Sequence, residues 1–191
     1  TLRMLCDKYN VILILDEVQS GYGRTGKFFA HQHANIQADL VTIAKGMGNG
    51  FPIGGVMISD KFEASYGLLG TTFGGNHLAC AAGIAVLDVI KDKQLIARAS
   101  ELEIYIRENL KDIPGLVDVR GRGLLLGLVF DAPIKEMRGQ LLSEYKIFTG
   151  SASDPKVLRL LPSLAVDKAN LEKFFTALKA VTKGEKANLS A

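Results

Sequence analysis

The chain has little of what marks several functional classes. It carries two cysteines, Cys6 and Cys80, in 191 residues. Neither has C-x-x-C spacing or a histidine cluster beside it, which argues against a zinc site or a disulfide framework and for reduced thiols. Apolar runs such as residues 11–15 and 124–126 are far too short to span a bilayer. The opening Thr1-Leu2-Arg3-Met4 lacks the apolar stretch of a secretory signal and begins without methionine. These features predict a cytoplasmic protein with no membrane partner, cut from something longer. The formal net charge is only +3, and no basic run is dense enough to track phosphates, so nucleic acid is not an expected partner. No G-x-x-x-x-G-K-[ST] loop, internal repeat or low-complexity linker occurs.

What is there reads as an ordinary globular chain, 48% hydrophobic and 23% charged. The first residues resemble the end of a helix feeding a strand. Residues 11–15, Val-Ile-Leu-Ile-Leu, are continuous, apolar and partly β-branched, which predicts a strand buried on both faces in a parallel sheet. That strand ends in Asp16-Glu17, placing carboxylates at the sheet edge where open α/β folds bind ligands. A glycine-rich loop follows at 21–26, then strand candidates at 40–44 and 56–59. Asn76 is placed to cap a helix over about 77–91. A second helix over 94–111 carries Leu95, Ala99, Leu102 and Ile106 on one stripe until Pro114-Gly115 stops it. Strands at 116–120 and 124–130, a helix over 134–145, a strand pair near 147–149 and 157–161, and a helix over 167–181 complete an α+β module. The polar tail from Gly184 is expected to fray. The composition shift near Gly75 divides the chain at 1–75 and 76–191.

Three features carry chemistry. Asp16 closes an apolar strand. Lys45 follows another and precedes a glycine loop. Thr71-Thr72-Phe73-Gly74-Gly75-Asn76 forms a turn. A lysine at the end of a buried strand is costly unless its charge is paired, used or removed. Joining it to an aldehyde as a Schiff base removes it, and pyridoxal 5′-phosphate (PLP) chemistry uses such a lysine with a carboxylate that keeps the pyridine nitrogen protonated. Taken alone, Asp16 and Glu17 fit a strand-end cap equally well; for Lys45 the plain alternative is a surface lysine, which the glycine loop, Asp16 and Thr72 argue against. His31, His33 and His77 lack metal spacing and read as surface or capping residues. Arg24 reads as a structural loop residue, glycines 121 and 123 as turn formers, and Cys80 as core. No metal is expected.

The ordered motifs decide between these readings. Leu-Ile-Leu-Asp-Glu-Val-Gln-Ser-Gly-Tyr-Gly-Arg-Thr-Gly at 13–26 resembles the class III, ornithine/acetylornithine-type PLP-dependent aminotransferases. So does Thr-Ile-Ala-Lys-Gly-Met-Gly-Asn-Gly-Phe-Pro-Ile-Gly-Gly at 42–55, and the segments at 71–76 and 119–123 follow in the expected order. The resemblance spans about 2–181 and implies an α/β fold of the fold-type I transferases. The expected arrangement is part of the large domain, with a mainly parallel sheet, followed by a smaller α+β carboxy-terminal domain. It implies that Lys45 is the Schiff-base lysine, that Asp16 pairs with the pyridine nitrogen, and that Gln19 lies near the ring's 3-hydroxyl. Thr72 would bind a cofactor phosphate, usually the neighbouring subunit's, in a homodimer with the site at its interface. Arg159, in Val-Leu-Arg-Leu-Leu-Pro at 157–162, would form a bidentate pair with the substrate α-carboxylate. That last motif, with Gly150-Ser151 before it, resembles the acetylornithine branch most. The implied reaction is transamination of N-acetylornithine, or N-succinylornithine, with 2-oxoglutarate in arginine biosynthesis. Ornithine and 4-aminobutyrate are the alternative donors. The segment that would supply the rest of the phosphate loop and the aromatic over the ring is not in this chain, so a PLP-free, inactive module is the alternative of another class.

Overall fold

The computed structural model describes residues 2–184. The frayed tail expected beyond Gly184 lies outside them. The chain divides into two compact units, 1–97 and 98–191. The composition shift at Gly75 and this division lie on either side of one helix.

In the first unit, α1 (Leu2–Tyr9) leads into β1 (Ile14–Asp16). Beside it lies β2 (Leu40–Ile43), parallel, with Asp16 opposite Thr42. The third strand, β3 (Gly55–Ile58), runs antiparallel to β2, so the sheet is mixed, in the order β1-β2-β3. The crossover between β1 and β2 has no long helix; it is the glycine-rich loop and a short 3-10 helix, Ala30–Ala34. The root of that crossover is fixed by Asp39, whose buried carboxylate accepts the Leu13 N–H at 2.8 Å and the Arg3 and Lys61 side chains. These contacts, the backbone N–H first, hold its pKa well below the ordinary carboxylate value. Helix α2 (His77–Asp92) begins where Asn76 accepts the Ala79 N–H at 2.9 Å, the cap its sequence predicts.

The expectation of a strand buried on both faces is corrected here. Strand β1 is three residues long, and Val11, Ile12 and Ile14 are exposed, Ile14 to 57%. Only Val41 in this sheet, with Leu13 just before β1, is buried. A continuous apolar run reports that a strand requires cover on both faces; among the described residues that cover is absent. Cys80 is likewise exposed on α2 rather than core.

The second unit closes its own core. Helix α3 (Leu95–Asn109) presents Ala99, Leu102 and Ile106 to a four-stranded antiparallel sheet ordered β4-β5-β7-β6. Its strands are β4 (Leu116–Arg122), β5 (Leu125–Phe130), β6 (Gly150–Ser151) and β7 (Val157–Leu160). Strand β6 lies later than the 147–149 segment expected from pattern. That segment instead makes an approach in which Ile147 N–H reaches the Leu141 carbonyl at 2.9 Å. Leu126, Leu128, Leu158 and Leu160 alternate inward, and α4 (Lys135–Ser143) and α5 (Lys168–Thr182) cover them with Leu141, Phe174 and Leu178. Asp167 caps α5 through the Asn170 N–H at 2.7 Å.

Candidate active site

Two strands running in parallel end side by side at one sheet edge, and each delivers a functional group there. From β1 comes Asp16. Its Oδ1 accepts the Thr42 hydroxyl at 3.1 Å and the Val18 N–H at 3.0 Å. Both bonds fall on one oxygen and fix the carboxylate plane, leaving Oδ2 for another donor. From β2 comes Lys45, three residues past Thr42, exposed, at the start of the 3-10 turn Lys45–Met47. Its backbone has φ 41°, a left-handed conformation rare for a side chain of this size. Such residues cost of order 1–3 kcal/mol and persist where their surroundings hold them. Here the Lys45 carbonyl accepts the Gly48 and Asn49 N–H groups at 3.2 and 3.1 Å.

The glycines around the lysine have steric reasons. A Cβ on Gly48 would lie 2.3 Å from the Phe51 carbonyl oxygen, and one on Gly46 would lie 3.2 Å from Tyr22 Cβ. A Cβ on Gly83 of α2 would reach ordinary contact with the Met47 carbonyl and Ile53, so this helix passes close to the lysine turn.

Glu17, beside Asp16, faces the other way and is 3% exposed. Its carboxylate accepts the Ser20 hydroxyl, the Ala30 and His31 N–H groups at 3.0 and 2.8 Å, and lies 3.0 Å from His31 Nδ1. Burial pushes its pKa up, but the Ser20, His31 and Ala30 hydrogen bonds outweigh burial and hold it below the ordinary value. His31 and His33 are therefore not surface residues. The first serves Glu17, and His33 Nε2 lies 3.0 Å from the Thr25 carbonyl oxygen. Sequence reasoning missed Glu17, Asp39 and both histidine contacts because their partners lie on distant turns. Arg24 is half-buried, and burial lowers its pKa.

Gln19 is exposed on the turn after Asp16. Thr72 stands in the exposed turn before α2, where Thr71, not Thr72, accepts the Gly74 N–H. Among the described residues Thr72 shares no hydrogen bond with Asp16, Gln19 or Lys45. Arg159 belongs to the second unit, half-buried on β7. The register puts Gly127 of β5 opposite it on one side and Gly150 of β6 on the other. Leu158 and Leu160 face the core, so Arg159 points to the opposite face, with a glycine on each neighbouring strand, and its Nη1 donates to the Ser151 carbonyl oxygen at 3.5 Å. A Cβ on Gly150 would approach Arg159 Cβ to 3.1 Å. Glycine inside a strand weakens it and often marks a place where something must approach closely.

An amine, a carboxylate with one oxygen free and a bare glycine turn at the carboxyl edge of adjacent parallel strands form a donor set that suits PLP. Lys45 presents an exposed primary amine there and Asp16 a carboxylate acceptor. Among the described residues no cluster of histidine, cysteine and carboxylates could hold a metal, and no helix is long and apolar enough to cross a membrane.

Comparison with known proteins agrees with this geometry. Over 182 residues the chain is 41% identical to an acetylornithine aminotransferase of Corynebacterium efficiens, covering 94% of this chain and 45% of that protein. It is 38% identical to the acetylornithine aminotransferase of Aquifex aeolicus over 94% of its length and 47% of the relative's. It thus spans about half the length of the curated relatives it matches. Among solved structures it superposes on the Toxoplasma gondii ornithine aminotransferase with a TM-score of 0.85 at 31% identity, over 95% of this chain and 45% of that one. With the N-acetylornithine aminotransferase of Stenotrophomonas maltophilia K279a the TM-score is 0.81 at 33% identity, over 96% and 50%. The family model for aminotransferase class III matches residues 1–182, and the chain belongs to that family.

Proposed function

We propose that the full-length protein bearing this chain is a PLP-dependent aminotransferase that moves the terminal amine of N-acetylornithine to 2-oxoglutarate in arginine biosynthesis. The observation that carries this reading is the pairing of Asp16 and Lys45 at the ends of adjacent parallel strands, with Asp16 held by Thr42 and Lys45 set in a glycine turn. PLP, when bound, supplies an electron sink for the carbon that loses its proton. The chain's own groups do the rest. Asp16, its carboxylate oriented by the Thr42 hydroxyl and the Val18 N–H, holds a proton on the ring nitrogen. The Lys45 amine anchors the cofactor and, once displaced by substrate, carries a proton between reacting carbons. Gln19 serves the 3-hydroxyl edge. Thr72 gives a phosphate contact, across a homodimer in this reading, and Arg159 grips a substrate carboxylate with its planar fork. The names of the Corynebacterium and Aquifex relatives support the acetylated donor, and a cytoplasmic setting goes with it.

Borohydride reduction of the PLP-loaded full-length protein followed by peptide mapping tests the central assignment. The pyridoxyl label belongs on Lys45, and a label on Lys61 or another lysine overturns it. Turnover with N-acetylornithine, N-succinylornithine, ornithine and 4-aminobutyrate then ranks the donors. Ornithine is the second reading, favoured by the fold match to the Toxoplasma ornithine aminotransferase. The 191-residue chain alone is expected to be inactive. Stoichiometric conversion of bound PLP to its amine form by N-acetylornithine, with the isolated chain, would refute that.

A further inference from the structure

Two bulky residues in this chain hold left-handed backbones and meet at one glycine. Tyr22 lies in the glycine-rich loop with φ 58°, and Lys45 starts the 3-10 turn with φ 41°. The Tyr22 Cβ lies 3.2 Å, and its Cγ 3.8 Å, from where a Cβ on Gly46 would stand. Gly46 follows Lys45 directly, so the root of the tyrosine ring stands beside the lysine turn and leaves no easy room for a side chain there. A tyrosine in this conformation is a steric outlier, and one that is only 6% exposed has been placed by its surroundings rather than by its own preference.

Those surroundings are continuous. The Tyr22 ring tilts against Phe28 at 5.1 Å between centroids, Phe28 meets Phe29 edge-on at 4.8 Å, and Phe29 stacks on His31 at 5.4 Å. His31 in turn reaches Glu17, the residue next to Asp16. The Gly23 N–H to Phe28 carbonyl bond closes the loop on itself. At Gly21 a Cβ would come within 2.9 Å of the Glu17 carbonyl oxygen, so the loop is also drawn tight at its base. The row of rings begins beside Asp16 and ends against the peptide after Lys45.

We propose that Tyr22 is a positioning residue for Lys45, holding the left-handed lysine turn through its packing on Gly46 and so setting the angle at which the lysine amine meets the cofactor. This rests on the reading of Lys45 as the cofactor lysine. Tyr22 touches no reacting atom; its effect passes through one backbone peptide. The alternative is that the Gly48 and Asn49 N–H bonds to the Lys45 carbonyl hold the turn unaided. The two accounts differ in what a single methyl group does.

Gly46→Ala puts that methyl against Tyr22 Cβ. Tyr22→Gly removes the Cβ and ring at a position whose φ glycine adopts without strain. The double variant replaces one small group by another across the same gap. The measurement is the pH titration of the bound cofactor's absorbance in the full-length holoenzyme, with folding checked by circular dichroism. This midpoint reports the geometry at Lys45, and a loss of stability elsewhere leaves it in place. Gly46→Ala and Tyr22→Gly should each move it by about one pH unit, a tenfold change in the protonation equilibrium. The double variant should bring it back toward the wild-type value, and Tyr22→Phe, which keeps the Cβ and the ring, should leave it there. Unmoved midpoints in the folded single variants, or a double variant shifted by the sum of both, overturn the proposal. If Gly46→Ala does not fold, Tyr22→Gly alone decides by the same criterion. Borohydride mapping of the wild type separates the two levels: a label away from Lys45 removes the underlying reading and this proposal with it, whereas a label on Lys45 with unmoved midpoints removes only the proposal.

Discussion

The two compact units treat similar apolar residues in opposite ways. In the second, Leu128 and Leu158 are fully buried between one sheet face and three helices. In the first, Val56 of β3 is 54% exposed and Ile14 of β1 more so. Strand composition is alike in both; what differs is whether the chain itself brings a covering layer. The first unit has polar fixings instead, Asp16 and Glu17 at the carboxyl ends of its parallel strands, where the proposed site lies, and Asp39 at the opposite ends. The second unit is a closed core whose other sheet face carries Arg159 and, across Gly127, Arg120. The lesson is that hydrophobic pattern shows what a strand requires, while only contacts show what it gets.

The comparison can be broken most sharply at Lys45. Lys45→Ala in the full-length protein should lower turnover by roughly 10²–10⁴-fold, the range expected for a proton-transferring group, before counting the lost anchoring. Thermal unfolding of the cofactor-free protein should barely change, since the side chain is exposed in this chain. A variant that unfolds instead would mean that the lysine is structural.

Next comes Leu158→Ala, which opens a cavity in the closed core and should destabilise the second unit by about 2–5 kcal/mol. In this chain the matching cut in the first unit, Val56→Ala, should cost less than about 1 kcal/mol, because a half-exposed side chain loses little transfer energy. Urea titration of each variant checks the pair. Equal costs would show that β3 is covered in solution.

Asp16→Asn keeps shape and removes charge, and should cost roughly 10²-fold or more in rate with the fold intact. Arg159→Lys should weaken binding by about 1.5–3 kcal/mol, the scale of a hydrogen bond to a charged group, since a lysine cannot make the paired fork contact. Stopped-flow traces should show both half-reactions slowed, because donor and acceptor each carry an α-carboxylate. If one half-reaction is spared, Arg159 serves one substrate only.

The smallest effect is a pH dependence that separates the units. Asp39 and Glu17 have folded-state pKa values below their ordinary ones. In acid the unfolded chain therefore binds more protons, and stability falls as pH drops. Their contribution is complete above the ordinary carboxylate range and is lost as pH falls through the lowered values. Signals from the first unit should fade on acidification before those from the second, and Asp39→Asn should flatten that dependence. A first unit that outlasts the second in acid would contradict it.

Much of this was legible in the sequence where the determinants are local. The Asn76 cap, the buried Leu95–Ala99–Leu102–Ile106 stripe and the parallel strand pair that leads into Asp16 and, two residues on, Lys45 each depend on residues a few positions apart, and all three are present. What escaped depends on distant partners. His31 reads as a surface or capping residue because Glu17 lies on another turn, and β1 is exposed because no layer among the described residues covers it. Strand β6 fell later than its pattern because Ile147 bonds back to Leu141. Tyr22 carried no signal beyond its place in a glycine loop.

The glycines on either side of Arg159 bear on how this sheet could be redesigned. Each occupies a strand position where alanine or a β-branched residue would favour the extended backbone, and glycine there forgoes roughly 0.5–1 kcal/mol relative to alanine. Filling Gly127 would press on Val157 Cγ1 at 3.1 Å, and filling Gly150 would press on Arg159 itself. A programme of stabilising substitutions guided by strand propensity alone would select these two positions early. Both substitutions would crowd the sheet face that carries Arg159, so a variant chosen for thermal stability should be screened for carboxylate affinity before either glycine is replaced.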